Sequence, residues 1–133
     1  MSGIEVLERL KYVNPSLEVV MMTAFETADT MRQALRLRAC DYINKPFGIG
    51  ELMARLNRLL LRMAGGRKYV TFFFGRYTPA TGELRYVNAG HNPPYLISGD
   101  TVEMIATTGK PIGLLADTSY EEKTLTLAPG ATL

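Results

Sequence analysis

The chain has 133 residues, of which 47% are apolar and 21% charged, a balance that supports a packed core and argues against wholesale disorder. Fifteen basic residues stand against 13 acidic ones, a net charge of +2 that is too even to imply a nucleic-acid partner. The single cysteine, Cys40, excludes an internal disulfide and a thiolate zinc cluster. No apolar run reaches the ~20 residues a bilayer span requires, and with no secretory leader at Met1 the expectation is a cytoplasmic protein without membrane contact.

In chain order, Ile4, Leu7 and Leu10 repeat at helical spacing after Ser2, a fitting N-cap, and Asn14-Pro15 closes that first helix. Leu17 to Thr23 is an almost continuous apolar run, the pattern of a strand covered on both faces. Thr27 to Ala39 sets Ala28, Met31, Leu35 and Ala39 on one helical side and Asp29, Arg32 and Arg36 on the other. Asp41 to Asn44 forms a second short strand before Lys45-Pro46. A third helix over 50–63 carries an apolar stripe of Leu52, Leu56, Leu59 and Met63 and a basic stripe of Arg55, Arg58 and Arg62. The basic stripe could dock an acidic partner, although a solvated helix face explains it as well.

The character of the sequence changes at Gly65-Gly66, the only paired glycines. Beyond them, Tyr69–Tyr77 and Glu83–Ala89 are rich in β-branched and aromatic residues around the turn 78–82, which predicts a hairpin. In Phe72-Phe73-Phe74, alternation sends Phe73 and its neighbours to opposite faces. Tyr95–Ser98 and Thr101–Ala106 predict a second hairpin turning at Gly99-Asp100, and a last strand falls near Glu121–Leu127. The expected fold class is mixed α/β (α+β): a helix-strand-helix-strand-helix unit over 1–64, a junction at 65–68, and an antiparallel β meander over 69–133.

Four features of the first part, Met1-Ser-Gly3 opening a helix, VVMMTA at 19–24, ACDYINKPF at 39–47 and Glu51-Leu52, occur in an order and spacing similar to the C-terminal half of a bacterial response-regulator receiver domain. The resemblance implies that Thr23 is a switch hydroxyl, that Lys45 is the lysine beside a phosphorylated aspartate, and that Lys45-Pro46 is a cis peptide. The acidic pair and phosphoacceptor aspartate of such domains have no match in this sequence. Residues 69–133, through VTFFFGRYTPATGELRYVNAGHNPPYLI at 70–97, GKPIGLL at 109–115 and LAPGATL at 127–133, resemble an internal stretch of SpoIIE-like metal-dependent Ser/Thr phosphatases. That resemblance implies a two-metal phosphatase ancestry. The aspartate motifs that hold the metals have no match here, and Glu83, Asp100, Glu103, Asp117, Glu121 and Glu122 fall on no ligand position of the family.

These fragments together imply a chain without either parent activity, no metal site and no cofactor. Thr23 and Lys45 remain candidates for a small-anion site at strand C-termini. Asp29 and Asp41, the aspartates nearest to them in sequence, read as structural. His91, the only histidine, and Lys45 are the candidate acid/base residues of a rival reading, a small hydrolase of phosphoesters or esters with a site newly formed at the fragment or subunit junction. Within AGHNPP, His91 reads first as the brace of a turn, its ring bonding to backbone groups before Pro93-Pro94. Ser119 and Lys123 are a weak nucleophile–base pair, and Cys40 packs as a small apolar residue. Strand 17–23 lacks the neighbour that a receiver sheet would give it. Either the 69–89 hairpin folds back onto it or a second copy fills the place, and the expectation is an intertwined homodimer centred on helix 50–63 or the Phe-rich hairpin, acting by binding.

Overall fold

A computed structural model describes residues 1–24 and 27–133. The order of elements is α1 (Gly3–Val13), β1 (Val20–Thr23), α2 (Ala28–Arg36), β2 (Asp41–Asn44), α3 (Ile49–Ala64), β3 (Phe72–Thr78), β4 (Glu83–Ala89), β5 (Tyr95–Ser98), β6 (Thr101–Met104) and β7 (Lys123–Thr126). The fold is mixed α/β: the strands of the first part pair in parallel and the named strands of the second pair antiparallel. The chain packs as two compact units, Met1–Phe47 and Gly48–Leu133.

In the first unit a capping box starts α1: the Ser2 hydroxyl accepts from Glu5 N at 3.2 Å, and the Glu5 carboxylate accepts from Ser2 N at 2.8 Å. Thr27 and Thr30 do the same for α2. β1 and β2 pair in parallel with Val20 opposite Asp41 and Thr23 opposite Asn44, the α2 crossover lying between them. Leu7, Ala34 and Ile43 are the buried apolar residues of this unit. The stripe expected on α2 is displaced. Ala34 is the buried residue of the helix, flanked by half-buried Thr30 and Leu37 at i−4 and i+3, while Met31 and Leu35 remain 37% and 65% exposed. The capping Thr30 thus occupies the inward position that periodicity alone assigns to its larger neighbour.

In the second unit β3, β4 and β7 form one antiparallel sheet in that order, and β5–β6 is a separate hairpin closed at Gly99-Asp100. The third strand beside β4 is therefore β7 rather than the next strand in sequence, with Leu84 opposite Leu125. Alternation along β3 follows the sequence expectation. The Phe72 and Phe74 rings stack on each other, centroids 6.3 Å apart, and Phe73 stacks on Tyr86 at 5.5 Å from the strand's other face.

Helix α3 covers this unit by packing on β4. Its buried residues are Ile49, Leu52, Met53 and Asn57, one helical row displaced from the predicted stripe, in which Leu52 alone is fully buried. The cause is a polar anchor. Asn57 is 1% exposed; its Oδ1 accepts from Gly113 N at 2.7 Å and its Nδ2 donates to Leu115 O at 2.9 Å. Two bonds from one carboxamide hold the 113–115 loop and turn that side of α3 inward.

Candidate functional site

Thr23 and Lys45 come together. They lie at the C-terminal ends of the adjacent parallel strands β1 and β2, and Lys45 N donates to Thr23 O. The Lys45–Pro46 peptide is cis. Thr23 is half-buried and Lys45 exposed, so the ammonium stands in water beside the strand ends, the usual position for ligands on open α/β sheets. Among the described residues no carboxylate pairs with that ammonium. Asp29 is engaged with Arg32 at 3.4 Å, and Asp41 Oδ1 accepts from Tyr42 N at 2.8 Å. A lysine and a threonine hydroxyl can hold a small anion by charge and one hydrogen bond.

His91 belongs to the other unit. Its backbone N donates to Asn88 Oδ1 at 2.8 Å and its Nδ1 lies 3.1 Å from the Thr71 hydroxyl, both side chains being exposed. The turn-bracing role is visible in the first contact. The second makes a hydroxyl–imidazole pair whose threonine was not among the sequence candidates. Thr71 is 20 residues away in sequence and no spacing rule connects the two.

Asn88, also missed, is the hub of this region. Fully buried in β4, it donates its backbone N to Thr108 Oγ1 at 3.0 Å, and its backbone O accepts from Thr108 N at 2.9 Å and Gly109 N at 3.1 Å. Its Nδ2 is buried without a partner among the described residues. A carboxamide between Val87 and Ala89, in the otherwise apolar C-terminal half of β4, was the signal available. Ser119 precedes β7 and is exposed, whereas Lys123 opens β7 and is half-buried. Cys40 Sγ donates to Val19 O at 3.1 Å, and burial, reinforced by the nearby Glu18 carboxylate, pushes its thiol pKa up.

The metal chemistry implied by the phosphatase resemblance can be tested on the donor set. Glu83 accepts from Arg85 Nε at 2.7 Å. Glu122 spreads its two oxygens between Ile49 N at 2.9 Å and Arg85 at 3.8 Å. Both carboxylates are committed to structure, and among the described residues no three His, Cys, Asp or Glu side chains gather where they could hold an ion. The residues present do not fit a two-metal centre. No helix among the described residues is long and apolar enough to cross a membrane.

A family model described as Stage II sporulation protein E (SpoIIE) matches residues 19–133, and the chain belongs to that family. The match reaches back through α3 and the β1–α2–β2 crossover as well as covering the antiparallel part. The chain is also similar to transcriptional regulatory proteins. It is 42% identical over 60 residues to ZraR of Klebsiella oxytoca, covering 45% of this chain and 14% of that protein. It is 31% identical over 93 residues to ZraR of Escherichia coli O157:H7, covering 70% and 19%. It is 40% identical over 62 residues to the probable transcriptional regulatory protein TcrX of Mycobacterium tuberculosis (strain ATCC 25618 / H37Rv), covering 47% and 26%. The chain thus spans about a quarter or less of the length of these relatives.

Proposed function

We propose that this chain acts by binding and self-association rather than by phosphoryl transfer, as a joining of receiver-like and phosphatase-like segments whose parent reactions are lost. One observation carries this reading. The β1–β2 sheet is a two-stranded parallel ribbon in which β1 has a single strand neighbour among the described residues, while Met22 on it is 41% exposed. Parallel strands are stable when both faces and both edges are covered, and two strands alone are marginal. The exposed Met31 and Leu35 of α2 leave more apolar surface in the same unit. A second copy adding its own β1 beside this one extends the sheet and pairs its open edge, giving a twofold homodimer.

Size-exclusion chromatography with light scattering at micromolar concentration tests the assembly: a dimer is expected, and a stable, well-folded monomer refutes it. Inertness toward p-nitrophenyl phosphate with added manganese or magnesium is expected in the same preparation, and metal-dependent turnover refutes the non-catalytic reading. Inorganic phosphate should stabilise the protein against heat, with the effect lost in Lys45→Ala if Thr23 and Lys45 form an anion site.

A second reading rests on the Thr71–His91 contact. A hydroxyl within hydrogen-bond reach of an imidazole is half of a nucleophile–base arrangement, and Lys45 is the other acid/base candidate from the sequence. Saturable esterase activity abolished by both Thr71→Ala and His91→Ala, with folding retained, favours this small hydrolase.

A further inference from the structure

Helix α3 carries a second apolar row beside its buried one. Leu56, Leu59, Leu60 and Met63 follow the i, i+3, i+4, i+7 spacing of one helix face, and with Val70 and Ile112 they line an open apolar groove of about 240 Å³ within the second unit. The groove is not closed by the fold: Met63 is 56% exposed and Val70 47%. Along the helix its floor runs seven residues, about 10 Å. Adjoining it, Arg67 and Lys68 line the surface next to Leu60 and Met63. The charge of this stretch is of one sign. Between Glu51 and Glu83 the sequence has six basic residues, Arg55, Arg58, Arg62, Arg67, Lys68 and Arg76, and no acidic one.

From these features we infer that the groove is a docking site for an acidic amphipathic helix of a partner protein. The row on α3 offers the ridge spacing into which a second helix interdigitates, with apolar anchors one turn apart. Arg67 and Lys68 at its margin supply electrostatic complementarity to a helix whose flanks carry Asp and Glu. A second copy of the same face is disfavoured, because pairing two such grooves sets the same positive charges against each other. A fatty anion would be met by a cation at one end of a closed tunnel, whereas here the groove is open along the helix and Arg67 and Lys68 border it on the surface. The groove belongs to the second unit and β1 to the first, so this inference goes beyond the self-association proposed above and is tested apart from it.

The probe is a labelled synthetic peptide of about four helical turns, long enough to populate helix, with leucines at i, i+3, i+4 and i+7 and glutamates elsewhere. Fluorescence anisotropy with the full chain should show saturable binding that weakens as salt rises. A peptide with lysine in place of every glutamate should bind at least about tenfold more weakly, as should the acidic peptide to Met63→Glu. The doubly substituted Arg67→Glu, Lys68→Glu protein, altered outside the helix at exposed positions, should show the same loss with an unchanged circular dichroism spectrum. Equal binding of the acidic and basic peptides, no binding of the acidic peptide, or undiminished binding by Met63→Glu and by the double variant overturns the proposal. So does a dimer that Met63→Glu converts to monomer, since the groove would then belong to a second copy. Loss of peptide binding with the dimer intact leaves the β1 assembly standing.

Discussion

The carboxamide of Asn57 accepts the amide of Gly113 at 2.7 Å across 56 residues of sequence. With the Leu115 carbonyl on its other end, this side chain fastens α3 to a loop that has no regular structure of its own. Asn57→Ala leaves the buried Gly113 amide unmatched, while the Leu115 carbonyl keeps the Thr118 hydroxyl at 3.2 Å, and should destabilise the second unit by about 1–3 kcal/mol, read as a lowered urea midpoint with unchanged m-value. An unchanged midpoint would mean that the loop finds other partners.

Glu122 performs a task normally left to a helix's own N-cap. Gly48 precedes α3 without a side chain to offer, and the Glu122 carboxylate, 73 residues on, accepts from Ile49 N at 2.9 Å. A negative group there also suits the positive end of the helix. Glu122→Ala is expected to cost about 1 kcal/mol in chemical denaturation and Glu122→Gln less. Arg85→Ala should cost still less, because its 3.8 Å contact to Glu122 is partly exposed.

Tyr120 gives a prediction of opposite sign. Its ring is buried against Gly109, but its hydroxyl is buried with no partner among the described residues. Burial pushes its phenol pKa up. Tyr120→Phe removes an unmatched polar atom without opening a cavity, so thermal denaturation should show a stability equal to or up to about 1 kcal/mol above the parent. A clear loss would reveal an ordered water on the hydroxyl.

Much of this architecture was legible in the sequence where the decisive chemistry is local. Ser2 marks the start of α1, Asp41–Asn44 falls where expected, and both hairpins sit at their turn residues. Each of those signals involves residues within a few positions of one another. The failures are long-range. Periodicity shows that Leu52, Leu56, Leu59 and Met63 share a face, but α3 has two overlapping apolar rows, and it is Asn57 with its loop partners that decides which one meets β4. The pairing of β4 with β7 spans the inserted β5–β6 hairpin, and no local pattern encodes it. The site followed the same division. Thr23 and Lys45 meet because a βαβ crossover places consecutive parallel strand ends together, whereas the partnership of His91 with Thr71 depends on a chain path that composition does not reveal.

Cys40 ties the first unit to pH. Burial first, and the Glu18 carboxylate second, raise its thiol above the ordinary value of 9.0. The folded state therefore favours the protonated thiol, and its contribution to stability is complete below about pH 9 and lost as pH rises through the folded-state value. Reaction with a disulfide reagent at pH 8 should be slower in the native protein than in urea, and the alkaline decline in stability should flatten in Cys40→Ala. Equal rates in both solvents would place the thiol in open water.

The seam in composition at Gly65-Gly66 and the seam in packing between Phe47 and Gly48 are different boundaries, with α3 lying between them. A lineage that recombined genes at the first seam would carry off a sheet stripped of its roof, while one that cut at the second would inherit strands, roof and fastening together. Residue usage and packing therefore divide this chain at points a full helix apart.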